Sequence, residues 1–276
     1  MIDIRQRKSL LMKLESYLLL LIFFLPLDVP AETEKKNLIC FYNPEANINN
    51  YTSLKKQFNL YLSRNTNYVL QPFSNQRVFN NYIKKCKKCI FLLSRWHYES
   101  LKSSILIEAT LSGTFQGKTT QNRILSLAKG VQGIEDLWGK TIASASSEEY
   151  TRNVLRLMLG KDKKELLDTF KVLTVPKDID ALLAVNFGMS SAALTTENSL
   201  KKLREINKIQ AEMLTVVAPA LEKTPLPVLA LWKEKKNDVD IEELVNVLIS
   251  MRNAKEGQQI LSLLGLDGFQ TITKAK

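Results

Sequence analysis

Residues 134–151 read IEDLWGKTIASASSEEYT. Thr141-Ile-Ala-Ser-Ala145 is a short run of small and apolar residues, too brief for a helix, and reads as a buried strand. Before it, residues 133–140 form a turn-rich bridge. After it, the serines and glutamates open an amphipathic helix over 147–159, stopped by Gly160. A strand passing through a polar turn into a helix is the building unit of α/β folds. Free N–H groups at such a helix entrance favour an anion, and serine hydroxyls add donors, so Ser146 and Ser147 are candidate ligand contacts. Ser146-x-x-Glu149 equally fits a capping box, in which the serines only close the helix end.

The alternation continues in both directions. Upstream, 38–42 is an apolar strand ended by Asn43-Pro44, 51–64 has helical spacing, 68–72 is a strand, 75–85 a helix and 89–94 a strand. Residues 104–112 and 121–128 read as further strands. Downstream, 171–175 is a strand, 177–187 a helix stopped at Gly188, and 191–195 a strand. Residues 211–218 and 227–232 are strand-like, and helices over 239–255 and 257–264 are separated near Gly257. The pattern predicts an α/β protein with largely parallel sheets. No internal repeat is present.

At the amino end, residues 17–27 read YLLLLIFFLPL, preceded by Arg5, Arg7, Lys8 and Lys13 and followed by Val29-Pro30-Ala31. This is the layout of a cleaved secretory signal peptide over 1–31, with Met12 as an alternative start. The apolar run is about half the ~20 residues that span a bilayer. The alternative reading is an uncleaved anchor. Export bears on the cysteines. Cys40, Cys86 and Cys89 are an odd set in an oxidising compartment, and Cys86-Lys-Lys-Cys89 fits a local disulfide, a bridge to Cys40 or redox spacing.

Composition narrows the function. The 276 residues hold 45% hydrophobic and 24% charged residues, as in ordinary globular chains. His97 is the single histidine, so no multi-histidine metal centre can form, and no nucleophile elbow or acid–base carboxylate pair stands out. The chain reads as not an enzyme, without metal or cofactor. The 39 Lys and Arg against 28 Asp and Glu give +11, but the lysines at 84–88, 161–164 and 233–236 are scattered and lack interleaved aromatics. That distribution is a solvated surface rather than a nucleic-acid face.

Four segments carry a family resemblance. They are IFLLSRWHY at 90–98, IEDLWGKTIA at 134–143, DALLAVNFG at 180–188 and GQQILSLLGLDGF at 257–269. In this order and spacing they resemble the periplasmic phosphate/phosphite/phosphonate-binding proteins of ABC transporters, which have the type II periplasmic-binding-protein fold. The resemblance covers roughly 38–272. It implies two α/β lobes joined by two crossing strands, near 118–126 and 213–228. Lobe one would be 32–118 plus about 216–276, and lobe two about 119–215. It implies a periplasmic monomer that closes on a small anionic, phosphonate- or phosphate-like ligand and delivers it to an ABC permease. The alternative is a ligand sensor coupled to a membrane sensor kinase.

The resemblance also implies site residues. Ser146 and Ser147 match a serine-rich segment that holds the phosphoryl group, although Glu148 stands where the family has glycine and would repel an anion. Ser94 and Tyr98 match a pocket segment. Beside them, Arg95 is able to grip an oxyanion and Trp96 to stack on an organic ligand. Tyr42 ends the first strand and faces the cleft or the core. Thr119 and Thr120 lie near the first crossing, and Lys177 follows a strand. Ser190 and Ser191 replace an acidic pair member, which disfavours an ammonium-bearing ligand such as 2-aminoethylphosphonate.

Overall fold

The computed structural model describes residues 36–45, 51–86, 89–235 and 239–272. The signal-peptide reading of 1–31 therefore lies outside the described residues, as do Lys87 and Lys88. In chain order the elements are β1 (Asn37–Tyr42), α1 (Tyr51–Leu62), β2 (Tyr68–Pro72), α2 (Gln76–Ile83), β3 (Ile90–Leu93), α3 (Arg95–Leu101), β4 (Ile107–Thr114), β5 (Thr120–Leu127), β6 (Thr141–Ser144) and α4 (Glu148–Leu159). They continue with α5 (Lys164–Thr169), β7 (Lys171–Thr174), α6 (Asp178–Asn186), β8 (Ala192–Thr196), α7 (Glu197–Ile206), α8 (Lys208–Glu212), β9 (Thr215–Pro225), β10 (Val228–Trp232), α9 (Val239–Ser250), α10 (Lys255–Leu263) and β11 (Gly268–Thr271). Among the described residues, no helix is long and apolar enough to cross a membrane.

Two sheets form, with strand orders β11-β4-β10-β3-β1-β2 and β7-β6-β8-β5-β9. Each has a parallel core of three strands, β2-β1-β3 in one and β7-β6-β8 in the other. The remaining strands are antiparallel, so the sheets are mixed rather than largely parallel. Of these, β4, β5, β9 and β10 lead toward or away from the two crossings, and β11 closes the edge of the first sheet. The chain crosses between the sheets at 114–120 and again at 225–228, where the Leu226 N–H donates to the Thr119 carbonyl at 2.8 Å. β9 pairs with β5 along its length, so Thr215–Pro225 belongs to the second sheet and not to the first, as the sequence-based boundary near 216 would have it.

Period-two alternation gives each sheet two apolar faces. Ile39 and Phe41 pack with Leu54, Phe58 and Leu62 of α1. Cys40 and Tyr42, one residue out of step, pack with Phe79 of α2 and Tyr98 of α3. In the second sheet Ile142 and Leu194 meet Tyr150, Val154 and Leu155 of α4, whereas Ala143 and Ala193 meet Leu182 and Val185 of α6. Full burial of each large apolar side chain contributes roughly 1.5–3 kcal/mol. Cys86 bonds to Cys89, and Cys40 remains a free thiol in the core, where burial pushes it up to about 12.

Two glycines have distinct reasons. Gly188 ends α6 with φ 73°, a conformation glycine adopts without strain. Gly257 lies inside α10 and does not separate the two helices. The break falls at 251–254, and a Cβ at Gly257 would run into the Met251 carbonyl oxygen. The residue is small because another backbone passes against it.

Candidate ligand site

The carboxyl ends of the parallel strands supply three short segments. Asn43-Pro44-Glu45 follows β1, Ser94-Arg95-Trp96 follows β3, and Ala145-Ser146-Ser147 follows β6. In open α/β sheets a ligand binds outside these ends, against helix N-termini. Here the three segments meet. The Ser147 N–H donates to the Pro44 carbonyl at 2.7 Å, and the Ser146 hydroxyl donates to the Glu45 carbonyl at 2.8 Å. The turn that brings Glu45 there is local, because the Glu45 N–H donates to the Asn43 side chain at 2.9 Å. Ser147 is the N-cap of α4 and accepts from the Tyr150 N–H at 3.3 Å, which leaves Ser146 free for the other sheet's loop. The cap is one residue later than the capping-box reading.

Two charged side chains sit at this junction, both almost wholly buried: Glu45 and Arg123 are each 4% exposed. Arg123 projects from β5, with Nη2 3.9 Å from a Glu45 carboxylate oxygen and the guanidinium 5.5 Å from the Tyr150 ring centre. Its Nε finds no partner. Burial pushes the Glu45 carboxyl up to about 7, while Arg123, the Ser94 hydroxyl, the Trp96 N–H and the Tyr150 hydroxyl each favour its ionised form. Burial likewise raises the Tyr150 phenol, with Glu45 adding to the shift. The cluster is buried and built from both sheets, and a carboxyl group of the chain itself stands beside Arg123.

The sequence candidates divide around this nest. Ser146 and Ser147 line it, and Ser94 and Trp96 complete it from the first sheet. Trp96 packs edge-on against Tyr150 at 5.8 Å. Ser94 also caps α3 by accepting from the His97 N–H. Arg95 is engaged on the helix surface with Glu99 at 2.7 Å. Tyr98 is buried in the first sheet's core, and its hydroxyl accepts from the Ala109 N–H. Tyr42 stacks on Phe79 and meets His97 edge-on at 5.0 Å, while burial and the nearby Glu149 raise its phenol to about 12.

Thr119 and Thr120 sit at the first crossing and spend backbone groups or strand pairing on Leu226 and Pro225. Lys177 stands exposed at the entrance of α6. Ser191 lies at the amino end of β8, where its N–H donates to the Thr141 carbonyl. That is the edge of the sheet opposite Ser146, because β6 and β8 run parallel. Glu148, expected to repel an anion from the helix entrance, is 60% exposed and turns along the helix to pair with Arg152 at 2.8 Å. The acid that enters the site is Glu45, from the other sheet.

Glu45 and Arg123 were not singled out from the sequence. The signal for Arg123 was a lone cation in the strand-like segment 121–128, just before Ile124-Leu125, since a charge there must find a buried partner or leave the strand pattern. Glu45 carried no such mark.

This arrangement is that of a two-lobed type II periplasmic-binding-protein fold. The chain resembles a binding-protein component of an ABC phosphonate transporter from Pseudomonas aeruginosa, with 16% identity, a TM-score of 0.61, and coverage of 86% of this chain and 82% of that one. It is similar to PhnD1 of Prochlorococcus marinus in complex with methylphosphonate, at 12% identity and TM-score 0.58, covering 86% and 93%. A protein of Xanthomonas citri bound to ATP matches at 12% identity and TM-score 0.60, covering 87% and 92%. No curated protein sequence matches the chain. The family model described as "ABC transporter, phosphonate, periplasmic substrate-binding protein" matches residues 119–276. The chain belongs to this family of periplasmic substrate-binding proteins.

Proposed function

We propose that the protein captures a small anion of the phosphonate class between its two lobes and delivers it to an ABC permease. One observation carries the reading: a buried arginine, Arg123, stands with the serine-led N-terminus of α4 where the two sheets meet. An arginine of this burial, with Nε unpartnered, is suited to an oxyanion that accepts several hydrogen bonds. The lobes in this reading are about 32–118 with 226–276, and about 119–225, each built on one sheet. The working unit is the single chain, since both sheets that flank Glu45 come from it.

The reading is of a non-catalytic protein. His97 is fully buried among Tyr42, Phe79 and Trp96, and burial lowers it to about 4, so it is poorly placed as a general base. Residues 1–31 are read as a signal peptide cleaved on export, and N-terminal sequencing of exported protein should begin near Glu32. Calorimetric titration with methylphosphonate tests the ligand class. Binding to the wild type that is lost in Arg123→Met supports it. Binding that survives Arg123→Met removes this site from ligand capture.

A further inference from the structure

The anion position is already filled. Glu45 places a carboxylate beside Arg123, and the donors that would serve a ligand are turned to the Asn43–Glu45 turn. The Ser147 N–H is taken by Pro44, the Ser146 hydroxyl by Glu45, and Ser94, Trp96 and Tyr150 face the Glu45 carboxyl. A phosphonate cannot share this nest with Glu45. Two negative groups against one buried guanidinium would repel, and Ser94, Ser146 and Tyr150 around them are all buried.

Glu45 is also an imperfect counterion. Its nearest approach to Arg123 is 3.9 Å, beyond hydrogen-bond distance, and the buried Arg123 Nε is left without a partner. A carboxylate has two oxygens in one plane. A tetrahedral oxyanion with three terminal oxygens is able to satisfy the guanidinium and the serine donors from one point. The site therefore has a donor, Arg123 Nε, that its present occupant does not use.

We propose that Glu45 is a built-in stand-in for the ligand's anionic group: it holds the Arg123 site in the absence of ligand, and a bound phosphonate takes its place. Glu45 then sets affinity as an internal competitor, and only an anion that out-bonds a carboxylate displaces it. The proposal rests on the reading of this cleft as the ligand site. It selects tetrahedral oxyanions over simple carboxylates, because a monocarboxylate offers the site nothing that Glu45 does not.

The test uses the exported protein, Glu45→Ala and the near-isosteric Glu45→Gln. Each is titrated with methylphosphonate, inorganic phosphate and acetate by calorimetry, and its thermal midpoint is followed with the same anions. The expected result is that methylphosphonate binds both variants at least tenfold more tightly than wild type. In Glu45→Ala, acetate should also raise the thermal midpoint, which it does not do in wild type, because the vacated position then accepts a carboxylate. Equal or weaker methylphosphonate binding in both variants overturns the stand-in role while leaving the phosphonate reading intact. If phosphate or acetate stabilises the variants and not wild type, yet methylphosphonate binds none of the three, the stand-in role holds and the phosphonate reading falls. If no anion stabilises or binds either variant, the stand-in role is overturned. Glu45→Gln keeps the measurement valid if Glu45→Ala does not fold.

Discussion

The Ser146 hydroxyl donates to the Glu45 main-chain carbonyl at 2.8 Å, joining positions 101 residues apart and tying the second sheet to the loop that follows the first strand. Both residues are buried, so the bond is made in a dry setting where an unpaired carbonyl is costly. Ser146→Ala should lower unfolding stability by about 1–3 kcal/mol. It should also weaken methylphosphonate binding, because the Ser146 hydroxyl is one of the donors that a displacing oxyanion would use. A urea titration beside a calorimetric one checks both, and an unchanged urea midpoint would show that water replaces the hydroxyl.

Ser147 has a different role, and one substitution separates its two functions. It caps α4 through its hydroxyl and offers its N–H across the cleft to Pro44. Ser147→Asp keeps a good N-cap and complements the helix dipole, so stability should stay within about 0.5 kcal/mol of wild type. The new charge at the helix entrance should still weaken methylphosphonate binding by roughly tenfold or more, a like-charge cost of about 1.4 kcal/mol. Unchanged affinity with intact folding would remove the α4 entrance from the site.

The fold was legible where chemistry is local. The step from Thr141–Ser144 into α4 is written in a short apolar run, a serine cap and Gly160, all within one stretch of chain. β9 was harder, because TVVAPALEKTP carries two prolines and a charged pair. It tolerates them because it is the edge strand of its sheet, where an N–H need not be donated. α7 passed unread because Leu200 and Leu203 are its only core-facing large residues. The site was half legible for the same reason. Ser94, Trp96, Ser146 and Ser147 announce themselves by position after strands. Glu45 and Arg123 are defined by each other, across two sheets, and no local pattern reports a partner that distant. The repulsion foreseen from Glu148 had the right chemistry and the wrong acid, since a first-turn glutamate turns readily to an arginine four residues on.

Stability should respond to pH through two buried groups that act in opposite directions. Burial holds Glu45 at about 7, above its ordinary 4.5, against the opposing pull of Arg123, with Tyr150 and Ser94 also facing it. The folded protein therefore binds more protons there than the unfolded chain, and stability falls as pH rises from about 4.5 to about 7. Burial holds His97 at about 4, below 6.5, so the unfolded chain binds the extra proton and stability rises across about 4 to 6.5. The Nε2 of His97 lies 3.1 Å from the Asn80 side chain and its Nδ1 has no partner, as suits a neutral ring. The two slopes partly cancel in wild type. Glu45→Gln should expose the rising slope and His97→Gln the falling one. Denaturant midpoints at pH 5, 6 and 7 read the difference, and parallel profiles in all three proteins would refute the assignment.

The pairing of Arg123 with Glu45 decides how the site is held together. Both side chains have left water, so the state of each depends on the other. Arg123→Met should push the Glu45 carboxyl further up, because the cation that favours its ionised form is gone, so the carboxyl protonates and the loss should be about 1–3 kcal/mol. Glu45→Gln should cost less, since an arginine above an aromatic ring keeps part of its stabilisation from Tyr150. The double variant should be more stable than the sum of the single losses by 1 kcal/mol or more, in the order of couplings measured between contacting buried charges. Additive losses in the denaturant series would mean that the 3.9 Å approach carries no coupling and that burial alone sets the state of Glu45.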